Sequence, residues 1–240
     1  MSYDWLAALV TIGALAALTA VGRFLAFKVP ALQQMRELNQ EADAPKMARE
    51  RFREAVKENS RAGLVTNLVF YFTILPFCVS FASRPLWQHL AEIVAILMIY
   101  DLMYYVTHRF VFHGRPMRKA HALHHQVREP TYIDALYVHP LETFIGLSLY
   151  LLSIPIVALV VGAPLNAFSV AVATLIFTQV NTINHTYVNL PYFPFKTLDY
   201  VTGVHAAHHV DMNQGNFATL TMVFDWLFGT YEKPVSRPVP

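Results

Sequence analysis

The amino-acid sequence predicts an all-α integral membrane protein, a helical bundle with about four to five transmembrane helices. Of its 240 residues, 55% are hydrophobic and only 14% are charged, whereas soluble domains carry about 25% charge. Five apolar stretches are long enough to cross a hydrocarbon core of about 30 Å as helices. They are residues 5–27, 64–82, 86–107, 141–161 and 165–183. This composition argues against a cytosolic globular protein, a disordered chain and a nucleic-acid binder.

The elements follow in order along the chain. The first span lacks the basic start of a secretory signal peptide and is too long for one. Residues 31–60 carry charges of both signs with apolar residues at helical spacing, which predicts either a helix at the membrane interface or a solvated linker helix. Short links near Arg84 and Gly162 predict two tight helical hairpins, one joining spans two and three and one joining spans four and five.

The distribution of basic residues predicts the orientation. If the chain starts outside and crosses five times, 17 of the 18 Lys and Arg residues and ten of the 11 histidines lie on one side. The positive-inside rule makes that side the cytoplasm. The boxes of histidine described below and the C-terminus are therefore expected to be cytoplasmic. The C-terminal sequence SRPVP carries no retrieval signal, which favours a bacterial inner membrane over the endoplasmic reticulum.

Histidine is clustered in short motifs. HxxxxH holds His108 and His113, one HxxHH holds His121, His124 and His125, and a second HxxHH holds His205, His208 and His209. Histidines at i, i+3 and i+4 lie on one face of a helix. Imidazole binds iron, zinc, copper and nickel. Eight to ten imidazoles are too many for one ion, so the motifs predict a site for two metal ions.

The spacing of His108 and His113 does not fit a straight α-helix. His108 and His113 lie about 500° apart on a straight α-helix, so the helix is expected to end or distort near His113, before Gly114 and Pro116.

Carboxylates are expected to support neutral ligands. Asp101, inside a span, is the first candidate, with a structural hydrogen bond to a neighbouring span as its alternative role. Glu142, one turn after His139, is the second.

These motifs resemble the fatty acid hydroxylase/sterol desaturase superfamily. The resemblance lies in DLMYYVTHRFVFH (101–113), HALHH (121–125), VHPLE (138–142), NHTYVNLP (184–191) and VHAAHH…NFATLTMVFDWLFGT (204–230). It covers about residues 64–232. We therefore expect an N-terminal transmembrane helix with a charged cytoplasmic segment over 1–63, a catalytic domain over 64–232 and a short tail over 233–240.

The resemblance implies a membrane enzyme that uses O₂ and two electrons to attack an unactivated C–H bond of a lipid, by hydroxylation or desaturation. It implies two iron ions in a histidine-rich cytoplasmic cap, where zinc can replace iron in a purified sample. Electrons would come from a separate cytochrome b5, ferredoxin or reductase. The expected metal ligands are His108, His113, His121, His124, His125, His139, His185, His205, His208 and His209, and the expected catalytic residues are Asp101, Tyr104 and Glu142.

Two alternatives remain open at this point. A carotenoid hydroxylase would carry similar boxes, although HPLE and the FGT ending are closer to the sterol and fatty-acid members. A non-catalytic membrane metal protein, such as a zinc transporter or store, would also need many histidines. Transporters usually place their ligands near the middle of the membrane, whereas these boxes lie at or beyond the ends of the spans.

Overall fold

The computed structural model of the protein describes residues 2–187 and 196–235. The longer helices are α1 (Trp5–Ala26), α2 (Pro30–Met47), α3 (Glu50–Thr73), α5 (Leu86–Thr107), α7 (Pro140–Val161), α8 (Ala167–His185) and α9 (Lys196–Val210). The shorter elements are α4 (Leu75–Cys78), α6 (Arg118–His121), α10 (Val223–Leu227), a π-helical turn (His108–Phe112), two 3₁₀ turns (His124–Gln126 and Tyr132–Leu136), and strands β1 (Val79–Ser80) and β2 (Leu165–Asn166). Residues 188–191 of the NHTYVNLP motif and residues 236–240 of the tail lie outside the described residues.

The predicted all-α membrane architecture is confirmed. Four helical segments within the described residues are long and apolar enough to cross a membrane: Trp5–Ala26, Leu86–Phe112, Pro140–Val161 and Ala167–His185. The predicted continuous span over 64–82 is wrong. Helix α3 starts in charged sequence at Glu50 and ends at Thr73, and the chain then forms α4 and β1. Pro76 explains the break, because proline has no N–H and fits only the first turn of a helix. The orientation built on five crossings therefore stays a prediction.

The charged segment forms two helices rather than one, with α2 ending at Met47 and α3 beginning at Glu50. Helix α2 is attached to the rest of the chain by polar contacts. The Asn39 amide accepts hydrogen bonds from the Tyr132 and Tyr187 N–H groups and donates to the Tyr187 carbonyl. One and two turns later on α2, Asp43 accepts from Thr131, and Lys46 pairs with Asp134. The predicted domain boundaries at residues 63 and 232 remain predictions.

An aromatic core joins the central helices. Tyr150 of α7 stacks on Phe177 of α8 with ring centroids 3.9 Å apart, and Tyr100 of α5 meets Phe177 edge-on at 4.9 Å. The Tyr150 hydroxyl bonds to Thr174 at 2.7 Å, so the buried phenol has a partner. One turn beyond Tyr100, the Tyr104 ring packs on His108, with centroids 5.2 Å apart. This core therefore fixes the helices that carry the histidine motifs.

The two predicted hairpin links close the end of the bundle that lies away from the histidine motifs. Strands β1 and β2 pair in parallel there. Gly162 ends α7 with a φ of 74°, a left-handed conformation that favours glycine. The Arg84 guanidinium lies 3.1 Å from the Glu92 carboxylate and donates to the Pro164 carbonyl. Glu92 also accepts from the Asn166 N–H at 3.1 Å. The buried ion pair thus ties both links together.

We expect Arg84→Met to destabilise the protein by about 3 kcal/mol, because it leaves the buried Glu92 carboxylate without a counter-charge. The measurement is the thermal unfolding of the detergent-solubilised protein. Adding Glu92→Gln should recover part of the loss, since an amide needs no counter-charge. Arg51→Met, at an exposed arginine of α3, serves as the control. An Arg84→Met variant as stable as the control would contradict this role.

Candidate metal centre

Nine histidines converge on two buried clusters. The first cluster comprises His108, His113, His121, His125 and His208. The second cluster comprises His124, His185, His205 and His209. In each cluster the available ligand atoms all lie within 4.8 Å of one another. The two clusters are adjacent, with the His124 and His125 ring centroids 6.0 Å apart. The geometry therefore brings together two sets of donors, each able to hold one metal ion.

Each HxxHH motif contributes to both clusters, as the helical spacing predicts. In the first motif, His121 and His125 lie in the first cluster, and His124 lies in the second. The second motif has the reverse pattern, since only its middle histidine, His208, belongs to the first cluster. Around a helix, i+4 lies about 40° from i, and i+3 lies about 60° from i on the other side, so one helix face presents histidines to both clusters. Both motifs therefore supply histidines to both clusters.

The HxxxxH motif forms a π-helical turn. The His113 N–H donates to the His108 carbonyl at 2.9 Å, five residues back along the chain. This wider turn places His108 and His113 on the same side, with ring centroids 4.9 Å apart. The predicted distortion near His113 is confirmed. Glycine follows directly because a Cβ at Gly114 would lie 1.9 Å from the Phe110 carbonyl oxygen.

In most of the rings, a hydrogen bond fixes which nitrogen faces inward. Five histidines donate from Nδ1 to backbone carbonyls at 2.6–3.0 Å: His108 to Phe217, His113 to Met212, His185 to Asn181, His208 to Gly215 and His209 to Val127. A carbonyl can only accept, so Nδ1 carries the hydrogen and Nε2 of the neutral ring is a bare lone pair. These Nε2 atoms have neighbouring Nε2 atoms 3.0–3.2 Å away. Two bare nitrogens repel each other, so the inward lone pairs require a cation.

Burial keeps these rings neutral. Loss of hydration is the main cause, and the neighbouring His121 is the second, of a pKa lowered to about 4 for His113 and to about 2 for His125. Loss of hydration and neighbouring histidines also lower the pKa of His124, His208 and His209 well below the usual value. A neutral imidazole is the form that binds a metal ion. The clusters are therefore ready for metal at neutral pH without losing protons first.

Glu142 and Tyr104 lie beside the first cluster. The Glu142 carboxylate accepts from His121 Nδ1 at 2.9 Å, which leaves the His121 Nε2 facing inward. Tyr104 contacts the edges of the His108 and Phe112 rings. The structure thus places both predicted residues against the histidines, and their catalytic roles stay predictions.

The structure places Asp101 against the loop after α9, and its predicted catalytic role stays a prediction. Both of its oxygens are used, because they accept from the N–H groups of Thr219, Leu220 and Thr221 and from the Thr221 hydroxyl. Asp101 therefore holds the loop after α9, whose carbonyls orient the histidines. Its alternative role as a structural hydrogen-bonding group is the one that the geometry supports.

Asp225 holds the same loop as Asp101. Its carboxylate accepts from the N–H groups of Phe217 and Ala218 and from the Thr230 hydroxyl. The loop carbonyl of Phe217 in turn orients His108. Asp225 stands in the NFATLTMVFDWLFGT stretch, whereas the backbone carbonyls that orient the histidines have no sequence signal at all. Only the resemblance over the NFATLTMVFDWLFGT stretch pointed to this loop.

Among the described residues, His139 belongs to neither cluster, and its role as a ligand stays a prediction. Its Nδ1 accepts from the Leu141 N–H at 3.2 Å and caps the start of α7, and its side chain is exposed. Helix N-caps need an acceptor for their unpaired N–H groups. This local requirement explains the histidine before Pro140. By contrast, His185 at the end of α8 lies inside the second cluster.

Both clusters lie at one end of the apolar helices. His108 directly follows α5, and His185 is the last residue of α8. The start of α1 lies at the other end, where the Asp4 N–H donates to the Pro76 carbonyl just after α3. The predicted histidine-rich cap at one end of the bundle is therefore present, and its cytoplasmic placement stays a prediction.

Comparison with known proteins identifies relatives. Rat methylsterol monooxygenase 1 is 28% identical over 168 residues, covering 67% of this chain and 54% of the relative. Human fatty acid hydroxylase domain-containing protein 2 is 26% identical over 125 residues, covering 52% and 34%. The very-long-chain aldehyde decarbonylase GL1-11 of Oryza sativa subsp. indica is 27% identical over 161 residues, covering 62% and 56%. The chain spans about half the length of the methylsterol monooxygenases it matches.

The family model described as fatty acid hydroxylase matches residues 93–230. That range is more than half of the chain and contains all nine clustered histidines. No solved structure is significantly similar to this chain. The extent of the family match and its coincidence with the histidine clusters show that this chain belongs to the fatty acid hydroxylase family.

Proposed function

We propose that this chain is a membrane-bound, O₂-dependent lipid oxidoreductase that hydroxylates or desaturates a sterol, fatty acid or related lipid at a histidine-bound pair of iron ions. The observation that carries the proposal is the pair of adjacent, buried imidazole clusters at the end of apolar helices. Relatives named methylsterol monooxygenase and very-long-chain aldehyde decarbonylase support a lipid substrate.

The donor set fits iron better than tetrahedral zinc. The first cluster offers five nitrogens, one more than a tetrahedral ion takes. When bound, an iron pair supplies the oxidising chemistry with O₂, which zinc does not.

The chain's own residues position the ligands and exclude water. Glu142 holds the proton on His121 Nδ1 and adds a negative charge to a set of neutral ligands. The loop carbonyls hold the Nδ1 protons of His108 and His208 in the same way. The nine rings are at most 9% exposed, so bulk water is kept from the donor nitrogens. The apolar helices α5, α7 and α8 provide surroundings in which a lipid chain can be oriented.

We infer that electrons come from a separate donor such as cytochrome b5, ferredoxin or a reductase. A polar depression of about 520 Å³ supports access from that side, because it reaches His125 and His209 between Arg118 and Arg128. The loop charges favour a cytoplasmic position for this face, and we place the protein in a bacterial inner membrane in preference to the endoplasmic reticulum. A transport role is less well supported, since the clusters lie at the ends of the helices.

We expect the purified protein to hold two metal ions per chain, including iron. His124→Ala and His208→Ala each remove one ligand from a different cluster and should each lower the metal content by about one ion. Mass-spectrometric metal analysis of folded protein measures this content. His139→Ala is the matched control, because His139 lies outside both clusters and should keep both ions. One ion or none in the folded wild-type chain would defeat the two-metal proposal.

Glu142→Ala should weaken metal retention about 10- to 100-fold, because His121 loses the acceptor that fixes its ring. The measurement is the rate at which a chelator removes iron from the purified protein. Glu129→Ala, at an exposed residue of the same region, should release iron at the wild-type rate. Equal rates for the Glu142 and Glu129 variants would show that the His121–Glu142 contact does not support the site.

Lipids of cells that contain the active protein should show species shifted by +16 or −2 mass units, which correspond to one oxygen gained or two hydrogens lost. His124→Ala should abolish the shift while the protein still inserts in membranes. The measurement is lipid mass spectrometry in the presence and absence of O₂, and the shifted species also distinguish sterols and fatty acids from carotenoids. A full product yield from the His124→Ala variant would refute the proposed centre.

A further inference from the structure

A cavity of about 440 Å³ lies between α1, α2 and α8, and none of the nine clustered histidines lines it. Most of its lining surface is apolar, with Leu18, Leu32, Met35, Leu175 and Ile183 among its walls. Apolar surface facing an open cavity gains free energy when a hydrocarbon group covers it. The body of the cavity is therefore suited to a hydrocarbon chain.

Gly22 keeps one wall of this cavity open. It lines the cavity from α1, and a Cβ placed on it would meet no heavy atom within 4 Å. Glycine is a poor choice inside a helix, where it costs about 1 kcal/mol relative to alanine. Its conformation is ordinary here, since its φ is helical. The absence of a side chain at Gly22 therefore leaves space beside α1.

The rim of the cavity is strongly basic. A neighbouring depression of about 330 Å³ shares Arg23, Phe27 and Arg36 with the cavity and adds Phe24 and Lys28. The Arg36 guanidinium lies over the Phe27 ring at 4.6 Å, which holds it in place at the rim. No carboxylate lines this depression. Three cations and two aromatic rings therefore face one small space.

These cations have no acidic partner in the part of the chain that the structure describes. Among residues 2–187 and 196–235, no ion pair joins Arg23, Lys28 or Arg36 to a carboxylate. The acid that lines the larger cavity, Asp43, accepts instead from the Thr131 hydroxyl at 2.5 Å and the Ile133 N–H at 3.4 Å. The positive charge of the rim is therefore available for a ligand.

The position of the rim matches that of lipid headgroups. Arg23 lies in the last turn of α1, an apolar helix long enough to cross a membrane, and Lys28 and Arg36 follow its end. Basic side chains at the end of a spanning helix extend to the membrane interface, where lipid phosphates and carboxylates are found. An apolar cavity with a cationic rim at that depth fits an amphiphile with a negative head.

We propose that this cavity binds an anionic acyl lipid, with the phosphate or carboxylate of its headgroup on Arg23 and Arg36 and its chain between α1 and α8. The site needs no metal, so it stands independently of the proposed oxidase function. It shares α8 with the second histidine cluster, because Thr182 and Ile183 line the cavity and His185 ends the helix.

The test is native mass spectrometry of the delipidated full-length protein in detergent, titrated with four probes. They are dioleoylphosphatidylglycerol, oleate, dioleoylphosphatidylcholine as the zwitterionic control, and inorganic phosphate. We expect one anionic lipid per chain, bound at least tenfold more tightly than phosphatidylcholine, and no retention of phosphate alone. Preference for phosphatidylglycerol identifies a phospholipid phosphate as the headgroup, and preference for oleate identifies a fatty-acid carboxylate.

Two sets of variants test the position. Arg23→Gln with Arg36→Gln should lower the affinity for the anionic lipid at least tenfold. Gly22→Leu should block the cavity, whereas Gly13→Leu is the matched control, since Gly13 lies on the same helix with equal free space but outside the cavity. If the arginine variant does not fold, the glycine pair still decides. Equal binding of phosphatidylcholine, or unchanged binding in the Gly22→Leu variant, would overturn the proposal.

Discussion

The mutual repulsion of inward-facing imidazole lone pairs is the constraint on which the structure of the site depends. Nine buried rings direct Nε2 atoms at one another at about 3 Å separation, and in six of them an acceptor at Nδ1 makes the inward nitrogen a bare lone pair. Cations make such an arrangement favourable. The fold has to hold these rings in place through their outer nitrogens. It does so mainly with backbone carbonyls, which cannot lose their acceptor character and so fix each tautomer.

Most of the features around the clusters serve this requirement. The π-helical turn after α5 brings His108 and His113 to the same side. Asp101 and Asp225 hold the loop that supplies the carbonyls for His108 and His208, so two buried acids act on the metal site through the backbone. Because both acids have several N–H donors, their charge is satisfied without touching the ligands. The aromatic core beneath fixes the helices from which the rings project.

The two ends of the bundle are held together by different contacts. At the end away from the histidines, a buried ion pair and a short parallel strand pair lock the hairpin links. At the histidine end, helix α2 is attached by the polar side chains Asn39 and Lys46, which leaves the apolar cavity and its basic rim between α2 and α1. The same region therefore combines a rigid metal site with an open cavity at the depth of lipid headgroups.

The sequence predicts the membrane character, the helical class and, by their motifs, eight of the nine clustered histidines, because apolar length and i, i+3, i+4 spacing are local properties. It also placed a distortion at His113, and it linked His185 to the set through the family resemblance. It does not distinguish a metal ligand from a helix cap at His139, whose role as a ligand stays a prediction, and apolar composition alone extends the predicted span over 64–82 past the break at Pro76. Three facts come from the folded chain alone: which histidines share a cluster, that Asp101 holds a loop, and that Glu92 meets the second hairpin link at Asn166. They depend on contacts between residues 74 to 119 positions apart, which no local pattern encodes.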